Sequence, residues 1–161
     1  MTEPNQQAAA EPVIQVRGLI SRFGEHVVHD GLDLEVKRGE IFGLVGGSGA
    51  GKSVLLNTLI GLRRPDGGEV RVFGSDPGAA QSPDRRSLES RWGVLFQSGA
   101  LFSSLSVGEN ILLPLREHTR LDESTMRIMM RLKLDQVAMS GTEDLMPAEL
   151  SGGMVKRAAM A

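Results

Sequence analysis

The 161-residue sequence contains no cysteine, which excludes both a disulfide framework and a cysteine metal site. Aromatic residues make up only 4%, while glycine is abundant at 20 residues. That balance favours tight backbone approach to a ligand over an aromatic-lined pocket. A basic excess is also missing. The formal charge of -2 leaves no electrostatic footprint for nucleic acid, and no nucleic-acid partner is expected. No apolar run approaches the roughly 20 residues that span a bilayer; Val54-Leu55-Leu56 and Ile111-Leu112-Leu113 are among the longest. The N-terminus lacks the basic start and apolar stretch of a signal peptide. What remains is ordinary for one globular domain, with 40% apolar and 24% charged residues.

Along the chain, residues 1–12 are polar and Ala/Gln-rich and read as a disordered leader. Leu32, Leu34 and Val36 alternate with Asp33, Glu35 and Lys37, the period of a half-buried strand. Ile41 to Val45 is continuously apolar, as in a buried parallel strand. A glycine-rich loop follows, and Lys52 to Leu62 reads as a helix with Leu55, Leu56, Leu59 and Ile60 on one side. Glu69 to Phe73 alternates after the turn Pro65-Asp66-Gly67-Gly68, and Gly93 to Phe96 is a short apolar strand ending at Gln97. Helical texture then takes over at Val107–Leu115, at Glu123–Leu134 and from about Met154. Strand, loop and helix in that order predict an α/β fold.

Two motifs carry the chemistry. Gly46-Gly47-Ser48-Gly49-Ala50-Gly51-Lys52-Ser53 fits the phosphate-loop pattern G-x-x-x-x-G-K-[ST]. Glycines permit several inward-pointing N–H groups, and the following helix adds unpaired N–H groups and a positive dipole end. Lys52 supplies a cation for the β- and γ-phosphates of a nucleotide, and the Ser53 hydroxyl suits Mg²⁺; this loop alone leaves GTPases, kinases, helicases and transporter ATPases open. Far downstream, Leu150-Ser151-Gly152-Gly153-Met154-Val155-Lys156-Arg157-Ala158 places a good helix N-cap, Ser151, before two glycines and a helix start.

The second motif resembles the LSGGQ signature of ABC ATPases, with Met154 in place of Gln, and the resemblance extends over nearly all of 13–161. It implies an α/β P-loop NTPase with a RecA-like core and antiparallel β subdomain (13–97), plus a helical signature subdomain (98–161). The domain would be incomplete at its C-terminal side. By the same resemblance Gln97 is the Q-loop glutamine acting with Lys52 in catalysis and with Ser53 at the metal. Phe23 is the aromatic on which adenine stacks, where the family more often has Tyr. A homodimer of ATPase subunits is implied, with Ser151, Gly152 and Gly153 contacting the ATP held by the partner.

The run from Gly93 to Asn110, GVLFQSGALFSSLSVGEN, is similar to the Mla (toluene-tolerance) branch. This implies a transmembrane permease partner, phospholipid cargo and a peripheral place on the cytoplasmic side of the inner membrane. Phe102 and Leu105 would face the permease. An apolar strand ending in Asp-Glu, expected after the signature helix, does not occur: Asp122-Glu123 follows a single Leu and Glu143-Asp144 follows Thr. Residues 1–161 alone should then hydrolyse almost nothing and expose an apolar sheet edge. Two alternatives stay open, a truncated non-catalytic ATP-binding remnant and an ABC ATPase acting on nucleic acid or the ribosome. His26, His29 and His118 lie outside metal spacing; Met126, Met129 and Met130 read as an apolar helix face; Arg63-Arg64 and Arg85-Arg86 read as solvated.

Overall fold

The structure is a computed structural model describing residues 12–79, 87–88 and 90–161. The leader up to residue 11 and the Arg85-Arg86 pair lie outside the described residues. The chain divides into two compact units, Met1–Gly93 and Val94–Ala161.

The first unit is built on a three-stranded antiparallel sheet ordered β2-β1-β3. Strands β1 (Pro12–Phe23) and β2 (His26–Lys37) form a hairpin across Gly24-Glu25, with Phe23 opposite His26. Strand β3 (Gly67–Val72) pairs with the other edge of β1, setting Val16 against Val70 and Ile14 against Val72. Helix α1 (Lys52–Leu59) packs on this sheet through Leu55, in a core with Val16, Leu19, Val70, Val72 and Leu88. Leu59 joins that core at its margin, whereas Leu56 is exposed, so the apolar side of α1 is narrower than the sequence suggests.

The second unit is helical. Ser106 and Glu109 form a capping box at the start of α2 (Val107–His118): the Ser106 hydroxyl accepts from the Glu109 N–H at 3.2 Å, and the Glu109 carboxylate from the Ser106 N–H at 2.8 Å. Asp122 caps α3 (Glu123–Gln136), accepting from the Thr125 N–H at 3.0 Å. Met126 and Met130 are buried with Val107, Ile111, Leu112, Leu134, Met139 and Ala158, as the methionine spacing implies. A one-turn 3₁₀ segment (Pro147–Glu149) leads into α4 (Gly152–Ala158).

Two expected strands do not form. Ile41 to Val45 has no regular structure, with Ile41 fully exposed (100%) and Val45 nearly so (92%). Gly93 to Phe96 is likewise irregular, and Leu95 and Phe96 are exposed. A buried parallel strand exists only between hydrogen-bonded neighbours, and among the described residues none lies beside either segment. The strands that do form are those whose partner arrives by a hairpin or sits next to one. The RecA-like parallel sheet is therefore not assembled among the described residues.

Candidate functional site

The phosphate loop of residues 46–53 turns tightly into α1. Gly51 is the N-cap residue in the left-handed region, with φ 85°. A Cβ there would stand 2.6 Å from both His29 Nε2 and Val28 Cγ1, so only glycine fits between the loop and strand β2. No side chain caps α1, which leaves its first-turn N–H groups facing the loop. The Lys52 ammonium folds back along the loop and donates to the carbonyls of Gly46 and Gly47, at 2.6 Å each. The cation is thus held over the glycine run by the loop's own backbone. The Ser53 side chain stands exposed on the first turn of α1.

These donors suit an anion. Lys52 and the uncapped N–H groups offer positive charge and hydrogen bonds, the set that recognises phosphate. Among the described residues no group of three or more His, Cys, Asp or Glu converges on a metal position. A divalent ion at this loop would take its protein oxygen from the Ser53 hydroxyl and the rest from phosphate and water, the usual habit of Mg²⁺. The donor set therefore fits Mg-ATP.

His29, set aside in the sequence, supports the loop. Its ring is buried on the inward face of β2 beneath Gly51, and its Nδ1 has no hydrogen-bond partner. Burial lowers its pKa below the ordinary value, partly offset by the Gly51 backbone. The signal lay in β2 itself. That strand begins at His26, well before the alternation at Leu32 makes it visible.

Phe23 sits at the hairpin tip in the same unit, with the Arg63 guanidinium 4.1 Å above its ring centroid. Arg63 is consequently fixed in place, a correction to the solvated position expected of it.

In the second unit, Gln97 lies in an exposed turn closed by the Gly99 N–H on the Phe96 carbonyl at 2.9 Å. This turn rests on α4, since a Cβ on Gly99 would approach Val155 Cγ1 to 2.6 Å. Ser151 caps α4 by accepting from the Met154 N–H at 3.3 Å. Gly152 and Gly153 are exposed, and a Cβ on either would meet nothing within 4 Å. Arg157 donates to the Ala138 carbonyl at 2.8 Å and ties α4 to the end of α3. Asp122 and Glu123 are committed elsewhere. The hydroxyls of Ser124 and Thr125 hold the Asp122 carboxyl well below the usual range, and Glu123 pairs with Arg116 at 2.7 Å.

The sequence model of ABC transporters matches residues 29–161, which include both the phosphate loop and the α4 motif. The chain belongs to the ABC transporter family. Among curated relatives of this family, the intermembrane phospholipid transport system ATP-binding protein MlaF of Haemophilus influenzae is 42% identical over 149 residues, 92% of this chain and 56% of that protein. MlaF of Escherichia coli is 38% identical over the same share of the chain and 55% of its own length. The probable ribonucleotide transport ATP-binding protein mkl of Mycobacterium leprae is 42% identical, with 43% of its length covered. The chain thus spans about half the length of the curated relatives it matches. Among solved structures, the dimeric ATP-binding cassette MJ0796 bound to ADP and Pi superposes with a TM-score of 0.78 at 25% identity, covering 91% of this chain and 67% of that one. The ABC cassette fold, an α/β P-loop fold, is therefore the fold class of this chain. No helix among the described residues is long and apolar enough to cross a membrane.

Proposed function

We propose that this chain is the nucleotide-binding part of an ATPase subunit that drives an ABC transporter, with phospholipid as the cargo. The observation that carries the reading is the Lys52 ammonium held on the Gly46 and Gly47 carbonyls above an uncapped helix start. Gly46, Gly47, Ser48, Gly49, Ala50 and Gly51 would wrap the phosphate chain, and Lys52 would transfer from carbonyl oxygens to the β- and γ-phosphate oxygens. Ser53 would give its hydroxyl to Mg²⁺, with Gln97 approaching the same metal and the γ-phosphate. When bound, the Mg²⁺ neutralises charge that develops on the transferring phosphoryl group. Phe23 would carry the adenine ring.

Gly152 and Gly153 have no close neighbour that requires their small size, which suits a surface offered, with Ser151 beside it, to a second subunit. In a head-to-tail homodimer they would meet the nucleotide on the partner's phosphate loop. That a solved relative bound to ADP and Pi is a dimer supports a two-subunit assembly. The permease would dock on the second unit, where an apolar groove of about 490 Å³ is lined by Phe96, Leu101, Phe102, Ile111, Pro114 and Ala158. Phe102 is exposed at this groove; Leu105 is half-buried and a weaker candidate. The subunit would then sit peripherally on the inner membrane.

Phospholipid is favoured by the two MlaF relatives, while the mycobacterial relative at equal identity keeps ribonucleotide cargo as a second reading. Deleting the gene and measuring both outer-leaflet phospholipid and ribonucleotide uptake separates them. A rise in misplaced phospholipid supports the first reading; a loss of uptake alone supports the second. Residues 1–161 expressed alone should bind Mg-ATP without turning it over, because they contain no Asp-Glu strand to orient water. Mg-dependent phosphate release by that polypeptide would refute this expectation.

A further inference from the structure

The turn that follows α1 reaches back to the tip of the β1–β2 hairpin. Arg63 and Asp66 from this turn grip the backbone of Arg22 at both of its polar groups. Arg63 Nη2 donates to the Arg22 carbonyl at 2.7 Å, and Asp66 Oδ2 accepts from the Arg22 N–H at 2.7 Å. The two side chains also meet each other, with Nη2 3.2 Å from the same Oδ2. The Asp66 backbone N–H donates to the Ile20 carbonyl at 2.9 Å, and the Arg63 N–H to the Asn57 carbonyl at 3.1 Å, so the turn is anchored at both ends. Above this frame the guanidinium plane covers one face of the Phe23 ring, at 4.1 Å from its centroid. Arg63 Nε is buried without a partner, so the guanidinium is not oriented for maximal hydrogen bonding. Its orientation suits the stack on the ring. The Phe23 ring remains 50% exposed.

We propose that Arg63 and Asp66 are positioning residues that hold Phe23 as a one-sided platform for the purine base. This deepens the nucleotide reading above and rests on it. A cation behind an aromatic face draws π-electron density toward itself and leaves the opposite face better matched to an electron-rich base. Arg63 also shuts one face, so a base has a single side on which to stack. Helix α1 carries Lys52 at its start, and the turn after it carries Arg63, whose N–H is tied back to the helix at the Asn57 carbonyl.

The test uses protein expressed from the full reading frame and compares Mg-ATP with inorganic tripolyphosphate by titration calorimetry. Tripolyphosphate has no base and reports the phosphate loop alone. Phe23→Ala should weaken ATP binding by about five- to a hundredfold, the range of a lost base–aromatic stack, and leave tripolyphosphate binding unchanged. Arg63→Met should weaken ATP by a factor of about two to five, with tripolyphosphate again unchanged. Arg63→Lys and Asp66→Asn should move ATP affinity the same way by less, and either carries the same readout if Arg63→Met does not fold. Equal loss of both ligands would reduce Arg63 to a structural role and overturn the proposal. Unchanged or tighter ATP binding in Arg63→Met, beside a weakened Phe23→Ala, would overturn it as well. Wild-type protein that binds neither ligand would instead overturn the nucleotide reading beneath it.

Discussion

Two helix starts in this chain follow glycine-rich motifs, yet they are built on opposite plans. Helix α1 begins at Gly51 with no side-chain cap, a lysine folded over the loop and a glycine wedged against His29 and Val28. Helix α4 begins at Ser151 with its own hydroxyl cap, and Gly152 and Gly153 face open space. The first start leaves its N–H groups and cation for a ligand and is braced from behind. The second satisfies part of its own need and keeps a bare surface. Glycine therefore means different things at the two motifs: internal fit at one, external clearance at the other. On the reading proposed above, the first would hold a phosphate chain and the second would meet one held elsewhere.

Removing the cation should give the largest effect. Lys52→Ala should cost about 2–5 kcal/mol of ATP affinity, roughly thirtyfold or more, because the ligand's charge loses its partner. Fluorescent-ATP titration checks it, and affinity within threefold of wild type would dissolve the contrast between the two helix starts.

Paired alanine substitutions sharpen the comparison in stability. Gly51→Ala forces an alanine to φ 85° and drives its Cβ to 2.6 Å from His29 Nε2 and Val28 Cγ1. Left-handed backbone and overpacking together should cost about 2–5 kcal/mol. Gly152→Ala meets no neighbour and should change stability by about 1 kcal/mol or less. Urea denaturation of the two variants gives the answer. Similar losses at both positions would mean that the glycines at 152 and 153 serve internal packing after all. If the open surface serves a partner subunit, Gly152→Ala should still lower ATP turnover.

The legible parts of this molecule were those set by local chemistry. Alternation at Leu32, Leu34 and Val36 marked β2, the methionine spacing marked the buried face of α3, and Ser151 was already an N-cap in the sequence. The turn of residues 46–53 into α1 was legible because Gly51 must take a left-handed φ against β2 and few residue types can. Long-range consequences were not. Ile41 to Val45 has the composition of a buried strand, but a ladder needs neighbours, and none is present among the described residues. His29, read only as lying outside metal spacing, and Arg63, read as solvated, have roles that depend on a loop and a ring brought to them by folding. A polar side chain on the inward face of a strand is the one clue that could have singled out His29.

A smaller effect belongs to the cap of α4. Ser151→Ala removes the acceptor for the Met154 N–H and should destabilise the second unit by about 1 kcal/mol. ATP binding by the monomer should be unaffected, since the phosphate loop has its own donors and the contact proposed for Ser151 is with a partner's nucleotide. Measured together, a lowered urea midpoint with unchanged ATP affinity would separate the two helix starts in one variant. A parallel loss of ATP affinity in the monomer would remove that separation.

The smallest expected effect tests the brace behind Gly51. His29 has a lowered pKa in the fold, chiefly because burial disfavours its charged form. Near and below pH 6.5 the unfolded chain therefore binds more protons at this ring than the folded one. Stability contributed by neutral His29 is complete above pH 6.5 and is lost progressively as pH falls through that value toward the lower folded pKa. The loss should be felt at the phosphate loop, because the ring that must take up a proton lies against Gly51. His29→Gln has no such titration, so its urea midpoint should fall less than that of wild type between pH 7.5 and 5.5. His26 and His118 are present in both proteins and cancel in the comparison. Identical pH slopes for the two would mean that the ring takes up its proton without strain, and that the loop is held from behind by Val28 rather than by His29.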